Sequence, residues 1–116
     1  MREVIRIDHQ DLSFNIRGET PGMAYVARAL SPEVSPNMGI GFARWEGAEV
    51  EWTVLYDEVI FVIEGCFELT ANGQKHEVRP GQMLWIPEGT ALTYAGHALF
   101  GYVVHPGNWK ALHGLT

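Results

Sequence analysis

"EVEWTVLYDEVIFVIEG", running from Glu49 to Gly65, decides how the chain is read. Val50, Trp52, Val54, Tyr56, Ile60 and Val62 occupy alternate positions. A period of two marks a half-buried β-strand, because successive side chains point to opposite faces. Glu58 shares that parity, so a carboxylate falls on a face that otherwise reads as core. Tyr56-Asp57 marks a bend or break in the stretch.

Working outward, the same signature recurs along the chain. Met38 to Trp45 alternates and predicts a strand whose Met38, Ile40 and Phe42 line the interior. Cys66 to Val78 reads as a hairpin joined at Asn72-Gly73, a pair that suits a type I′ turn. "PGQMLWIPEG" predicts a buried strand between two turns. "TALTYAG" and "HALFGYVVHP" predict two more strands, and "GNWKALHG" predicts a single helical turn. Upstream, "VIRI" predicts a first strand, "FNI" a short pairing segment, and Tyr25-Val26 a strand bounded by Pro21-Gly22 and Ser31-Pro32. The 13 glycines and six prolines mostly separate apolar runs. Many short strands with tight turns, and no long helix, predict an all-β chain closed as a barrel or jelly roll.

With 116 residues the chain builds one core and not two. The expected organisation is a single domain over 1–116, with its core about 38–106, N-terminal strands and loops over 1–37, and a tail over 107–116. The formal charge of −6 and the scattered Lys and Arg argue against nucleic acid and anionic membrane as partners. Cys66 is the single cysteine, which leaves no intrachain disulfide and no CxxC zinc site, and suits a reducing compartment. "MREVIRIDHQ" has no apolar run of the kind a secretory signal needs, so a cytoplasmic location is expected.

Glu58 followed by Gly65, the Asn72-Gly73 turn, and then Gly81, Pro87 and Gly89 resemble the two glycine-bounded motifs of the cupin superfamily. The resemblance implies a cupin-type β-barrel, or double-stranded jelly roll. Gly65 and Gly81 are expected in tight turns, and Pro87 with Gly89 in a turn into the next strand. Metal-binding cupins carry two histidines, a glutamate and a third histidine. The corresponding positions here are Trp52, Val54, Glu58 and Leu92. Three of the four have no donor atom, so neither a metal nor another cofactor is expected.

A narrower resemblance covers about Gly39 to Trp109. "EWTVLYDEVIFVIEG", "PGQMLWIPEGT" and "LFGYVVHPGNW" are similar to the cupin domain of the ethanolamine-utilisation EutQ family. Departures are Glu51, Gln82 and Glu88, where Pro, Asp and Lys are usual. Full-length members carry a further N-terminal region, and an acetate kinase role is attached to them. This chain contains no Walker-type glycine-rich loop.

Three roles remain open for Glu58: a hydrogen-bonded structural carboxylate, the polar centre of a metal-free pocket, or a metal ligand with unforeseen partners. In the pocket reading, Trp52, Tyr56, Glu58, Leu92, Tyr94, Phe42 and Met38 contact a small ligand, for which an amine is chemically suited. Glu58 with Tyr56 or Asp57 forms the candidate acid–base set of an isomerase- or lyase-type enzyme. A third possibility is a structural subunit with a vestigial pocket. A homodimer is expected, since the apolar strand content exceeds what one small barrel covers.

Overall fold

A computed structural model describes residues 3–18 and 22–114. These residues form eight strands: β1 (Asn15–Gly18), β2 (Met23–Arg28), β3 (Gly39–Glu46), β4 (Val50–Thr53), β5 (Asp57–Ala71), β6 (Gln74–Val78), β7 (Met83–Ile86) and β8 (Ala91–His105). One short helix, α1 (Trp109–Leu112), follows. The expected strand at "VIRI" does not form. Val4 and Ile5 are exposed and have no strand to pair with. The segment leads instead into a 3-10 turn at His9–Asp11, where Asp8 Oδ1 accepts from the Gln10 N–H at 2.9 Å. Pro21, half of the boundary expected before β2, lies outside the described residues.

All strand pairs are antiparallel, and β5 and β8 run side by side through the centre. Along the second half of β8 the sheet order is β1-β2-β3-β8-β5, with β7 on the far side of β5. Along its first half the order is β4-β8-β5-β6. Two layers thus share two long strands, which gives the expected all-β jelly roll.

The turn between the layers explains a feature that alternation alone hides. In β5, Glu58, Ile60 and Val62 are buried, but beyond a bulge between Val62 and Glu64 the buried residues become Phe67 and Leu69. One extra residue reverses which parity faces inward. Gly65 was expected in a tight turn, but it lies within β5 beside this bulge, with φ +81. A Cβ there would collide with the carbonyl oxygen of His97, so the crossing of the two long strands depends on glycine. "TALTYAG" and "HALFGYVVHP" are likewise one strand rather than two. The hairpin reads as expected: Asn72 and Gly73 both have positive φ, 53° and 75°.

The core gathers Val54, Ile60 and Phe67, all fully buried, with Trp45 packed among Phe67, Tyr94 and Phe100. Two expectations about facing are corrected. Gly41, Ala43 and Trp45 form the buried face of β3, and Met38 and Phe42 do not join it, whereas Ile40 lines the interior cavity as expected. Tyr102, opposite Gly41, needs the space that only glycine leaves, and this fixes the parity. Phe42 points outward against His9, with ring centroids 5.6 Å apart, and Met38 is half exposed. On β7 only Ile86 is buried; Met83 and Trp85 stand outward on an edge strand bonded to β5 alone. No described helix is long and apolar enough to cross a membrane.

Candidate functional site

A cavity of about 560 Å³ opens between the two layers. Its polar centre is Glu58. Strand β5 places this residue between Ile86 of β7 and Val104 of β8, so its side chain projects from a central strand and is only 6% exposed. The Tyr94 hydroxyl, carried by β8, donates to Glu58 Oε1 at 2.7 Å. Tyr56 lies beside Tyr94, and its hydroxyl accepts from Trp52 Nε1 at 3.1 Å. The ring of Trp109 closes this wall, 4.9 Å from Tyr56 and 6.0 Å from Trp52. The four-residue helix α1 therefore seats an aromatic at the cavity.

Burial sets the protonation states. Loss of water raises the Glu58 carboxyl from 4.5 to about 7, and the Tyr94 hydrogen bond offsets part of the rise. Tyr56 is pushed up to about 12, first by burial and then by the nearby Glu58 charge. Tyr94 is raised by the same two causes, and Tyr102 chiefly by burial. At neutral pH the cavity thus presents neutral hydroxyl donors around a carboxyl poised between its acid and its base. Such a group gives or takes a proton with little driving force either way.

The residues singled out in the sequence separate into two sets. Trp52, Tyr56, Glu58 and Tyr94 line the cavity together. Leu92 does not: it pairs with Trp52 across β4 and β8 and fills the core. Phe42 and Met38 lie outside for the reason given above. Asp57 is exposed, and its Oδ1 accepts from the Glu88 N–H at 2.8 Å, which secures the Pro87–Thr90 turn. It takes no part in the cavity. Arg44 lies on the outer surface, over the Phe14 ring. Cys66 is half buried, with the Arg79 guanidinium 3.4 Å from its sulfur.

The sequence family described as ethanolamine utilisation protein EutQ matches residues 8–111. The chain belongs to this family. An acetate kinase EutQ of Clostridioides difficile (strain 630) is 29% identical over 96 residues, covering 81% of this chain and 61% of that protein. The chain therefore spans less than two thirds of that relative's length. The solved structure of the Clostridium difficile EutQ protein superposes with a TM-score of 0.74 at 26% identity, over 90% of this chain and 83% of that one. A cupin-like protein from Thermotoga maritima superposes with a TM-score of 0.72 at 12% identity, over 85% of this chain and 83% of its own. The fold is that of the cupins.

Many cupins hold a metal at this place, but the residues of this EutQ-family chain do not fit one. Glu58 is the one carboxylate lining the cavity, and no histidine or cysteine joins it among the described residues. The remaining donors are tyrosine hydroxyls held neutral by burial, which are poor ligands for a divalent ion.

Several lining residues escaped the sequence reading. Tyr102 and Phe100 share the parity of Tyr94, a signal lost when β8 is divided at Gly96. Trp45 shares the parity of Ala43. Arg17, Arg28 and Lys110 also line the cavity, from β1, β2 and α1, and nothing local in the sequence brings them together. Trp45 Nε1 is buried without a hydrogen-bond partner among the described residues. It is surrounded by the rings of Phe67, Tyr94 and Phe100, whose faces attract an N–H weakly.

Proposed function

We propose that this chain is a metal-independent, small-molecule-binding cupin whose cavity seats an amine on Glu58. One observation carries the reading: a carboxyl 6% exposed, inside a cavity large enough for a small molecule, with one hydrogen-bond donor from the protein. An ionised carboxylate taken out of water needs a partner. An ammonium group provides the opposite charge, and the rings of Tyr56, Trp52 and Trp109 add cation–π attraction. The EutQ family description names ethanolamine utilisation, which supports an amine as the ligand class.

The position of Glu58 near neutrality also favours a second reading, in which Glu58 and Tyr94 move a proton on the bound molecule. In that reading Tyr94 delivers or accepts the proton at its hydroxyl, and Glu58 relays it.

Calorimetric titration with ethanolamine, at pH 8 and at pH 6, tests the binding reading. The ammonium requires ionised Glu58, so affinity falls about tenfold from pH 8 to pH 6, given a carboxyl at about 7. Glu58→Gln keeps the shape and removes the charge. It is expected to weaken binding roughly 10- to 100-fold at pH 8, the range for a hydrogen bond to a charged group. If no amine binds, or if the variant binds as tightly as the wild type, the reading is wrong.

A further inference from the structure

The mouth of the cavity carries the opposite charge to its centre. Arg17, Arg28 and Lys110 are exposed side chains that line the opening from three separate elements. The chain has eight Lys and Arg against fourteen Asp and Glu, yet three of the eight cations converge here. Among the lining residues the only acid is Glu58. None of the three cations makes an ion pair among the described residues, where the one pair is Lys75 with Glu68 on the far hairpin. The Arg17 guanidinium lies 5.9 Å from the centre of the Trp52 ring, and the Lys110 ammonium 5.6 Å from that of Trp109. Two cations therefore flank the Trp52–Trp109 pair that walls the cavity.

The positive mouth does not neutralise the acidic centre. Burial and the Tyr94 hydroxyl account for the perturbation of Glu58, with no cation contributing. Arg17 acts on Tyr56, and Arg28 on Tyr102. The charges are thus arranged in series: cations at the opening, neutral tyrosines between, and a carboxyl inside. A simple ammonium ion meets repulsion at the mouth, and a simple anion meets it at Glu58. A molecule carrying both charges satisfies both ends.

We propose that the ligand is a small zwitterion, with an ammonium group on Glu58 and a phosphate or carboxylate group held at the mouth by Arg17, Arg28 and Lys110. This deepens the amine reading and rests on it. Arginine is suited to either anion, because its planar fork matches two oxygens at once.

Calorimetry at pH 8 with four probes separates the two ideas: ethanolamine, O-phosphoethanolamine, 4-aminobutyrate and inorganic phosphate. The zwitterion proposal expects O-phosphoethanolamine or 4-aminobutyrate to bind at least tenfold tighter than ethanolamine. Whichever of the two binds tighter identifies the anionic group. The combined Arg17→Gln, Arg28→Gln, Lys110→Gln variant should lose that advantage while binding ethanolamine no more weakly than the wild type. All three side chains are exposed, and circular dichroism checks that the variant is folded. If ethanolamine binds and neither zwitterion binds tighter, the zwitterion proposal is overturned and the amine reading stands. If phosphate alone binds as tightly as either zwitterion, Glu58 contributes nothing and both ideas fall. Absence of binding by all four overturns both as well.

Discussion

Glu58→Gln is expected to stabilise the empty protein at alkaline pH and to leave it nearly unchanged in acid. In the folded chain the carboxyl ionises at about 7, against an ordinary value of 4.5. Below 4.5 the group is protonated in both folded and unfolded chains and has no effect on the pH dependence. Between 4.5 and 7 the unfolded chain loses its proton while the folded chain keeps it, so stability falls as pH rises. Above 7 both states are ionised and the loss is complete. At about 1.4 kcal/mol per pH unit, the gap from 4.5 to 7 corresponds to roughly 3 kcal/mol. A glutamine has no proton to lose, and its carbonyl still accepts from Tyr94. Urea denaturation followed by tryptophan fluorescence, at pH 5 and pH 8, measures the difference between the two proteins. At pH 5 they should agree within about 1 kcal/mol, an ordinary mutational difference. At pH 8 the variant should be more stable by roughly 3 kcal/mol, a midpoint shift of about 1 M urea or more. Stability curves that run parallel from pH 5 to pH 8 would refute the reasoning, because they would mean that Glu58 is hydrated in the folded chain.

Tyr94→Phe removes the 2.7 Å hydrogen bond and leaves the carboxylate without its donor. The expected loss is about 1.5–3 kcal/mol at pH 8 and clearly less at pH 5, where Glu58 is neutral; equal losses at both pH values would show that packing, not charge, is responsible. Gly41→Ala places a methyl group against the Tyr102 hydroxyl and 2.6 Å from the Ala27 carbonyl oxygen, which belongs to the backbone and cannot yield. Thermal denaturation should show a loss of about 1–3 kcal/mol, as for other overpacked positions, and an unaltered melting curve would place Tyr102 elsewhere. The outer face of the sheet exposes Trp85 at 70%, Met83 at 66% and Ile16 at 56%. A homodimer that covers this face is expected, and light scattering at micromolar concentration should give about twice the chain mass; a stable monomer would count against it.

The strands and the Glu58 anomaly were legible because both follow from a period of two within one segment. Trp52, Tyr56 and Glu58 sit at alternate positions, and the structure keeps them on one wall even though the strand breaks between Thr53 and Asp57. What stayed hidden depends on contacts between segments. The reversal of parity in β5 comes from a single bulged residue, which the letters do not mark. The inward face of β3 was misread because Gly41 and Ala43 are small. Their side of the strand looks like the weaker hydrophobic face until Tyr102 occupies the space. Asp57 follows Tyr56 directly, yet it opens β5 on the exposed side, where it secures the Pro87–Thr90 turn. The ring of cations at the mouth joins residues 17, 28 and 110, and only the closure of the two layers brings them together.

The physical puzzle of Glu58 is best seen beside the metal-holding cupins that the motif resembles. There a divalent cation balances the glutamate, and histidines complete its coordination. Here the corresponding motif positions hold Trp52, Val54 and Leu92, and the hydrogen-bond partner of the carboxyl is the neutral Tyr94 hydroxyl. If its role were only to accept the Tyr94 hydrogen bond, glutamine would serve as well and avoid roughly 3 kcal/mol of desolvation at alkaline pH. That cost supports the proposed ligand role for Glu58, since real proteins depart from their local rules mostly at functional sites. The cavity supplies the room for it, and the tyrosines supply hydroxyls that stay neutral at physiological pH. In the proposed amine reading the balancing charge arrives with the ligand, and binding near neutral pH shifts Glu58 toward its ionised form with release of a proton. Titrations at pH 6.5 in buffers of different ionisation enthalpy should reveal that release; a heat of binding independent of buffer would mean that Glu58 does not change its charge when the site is filled.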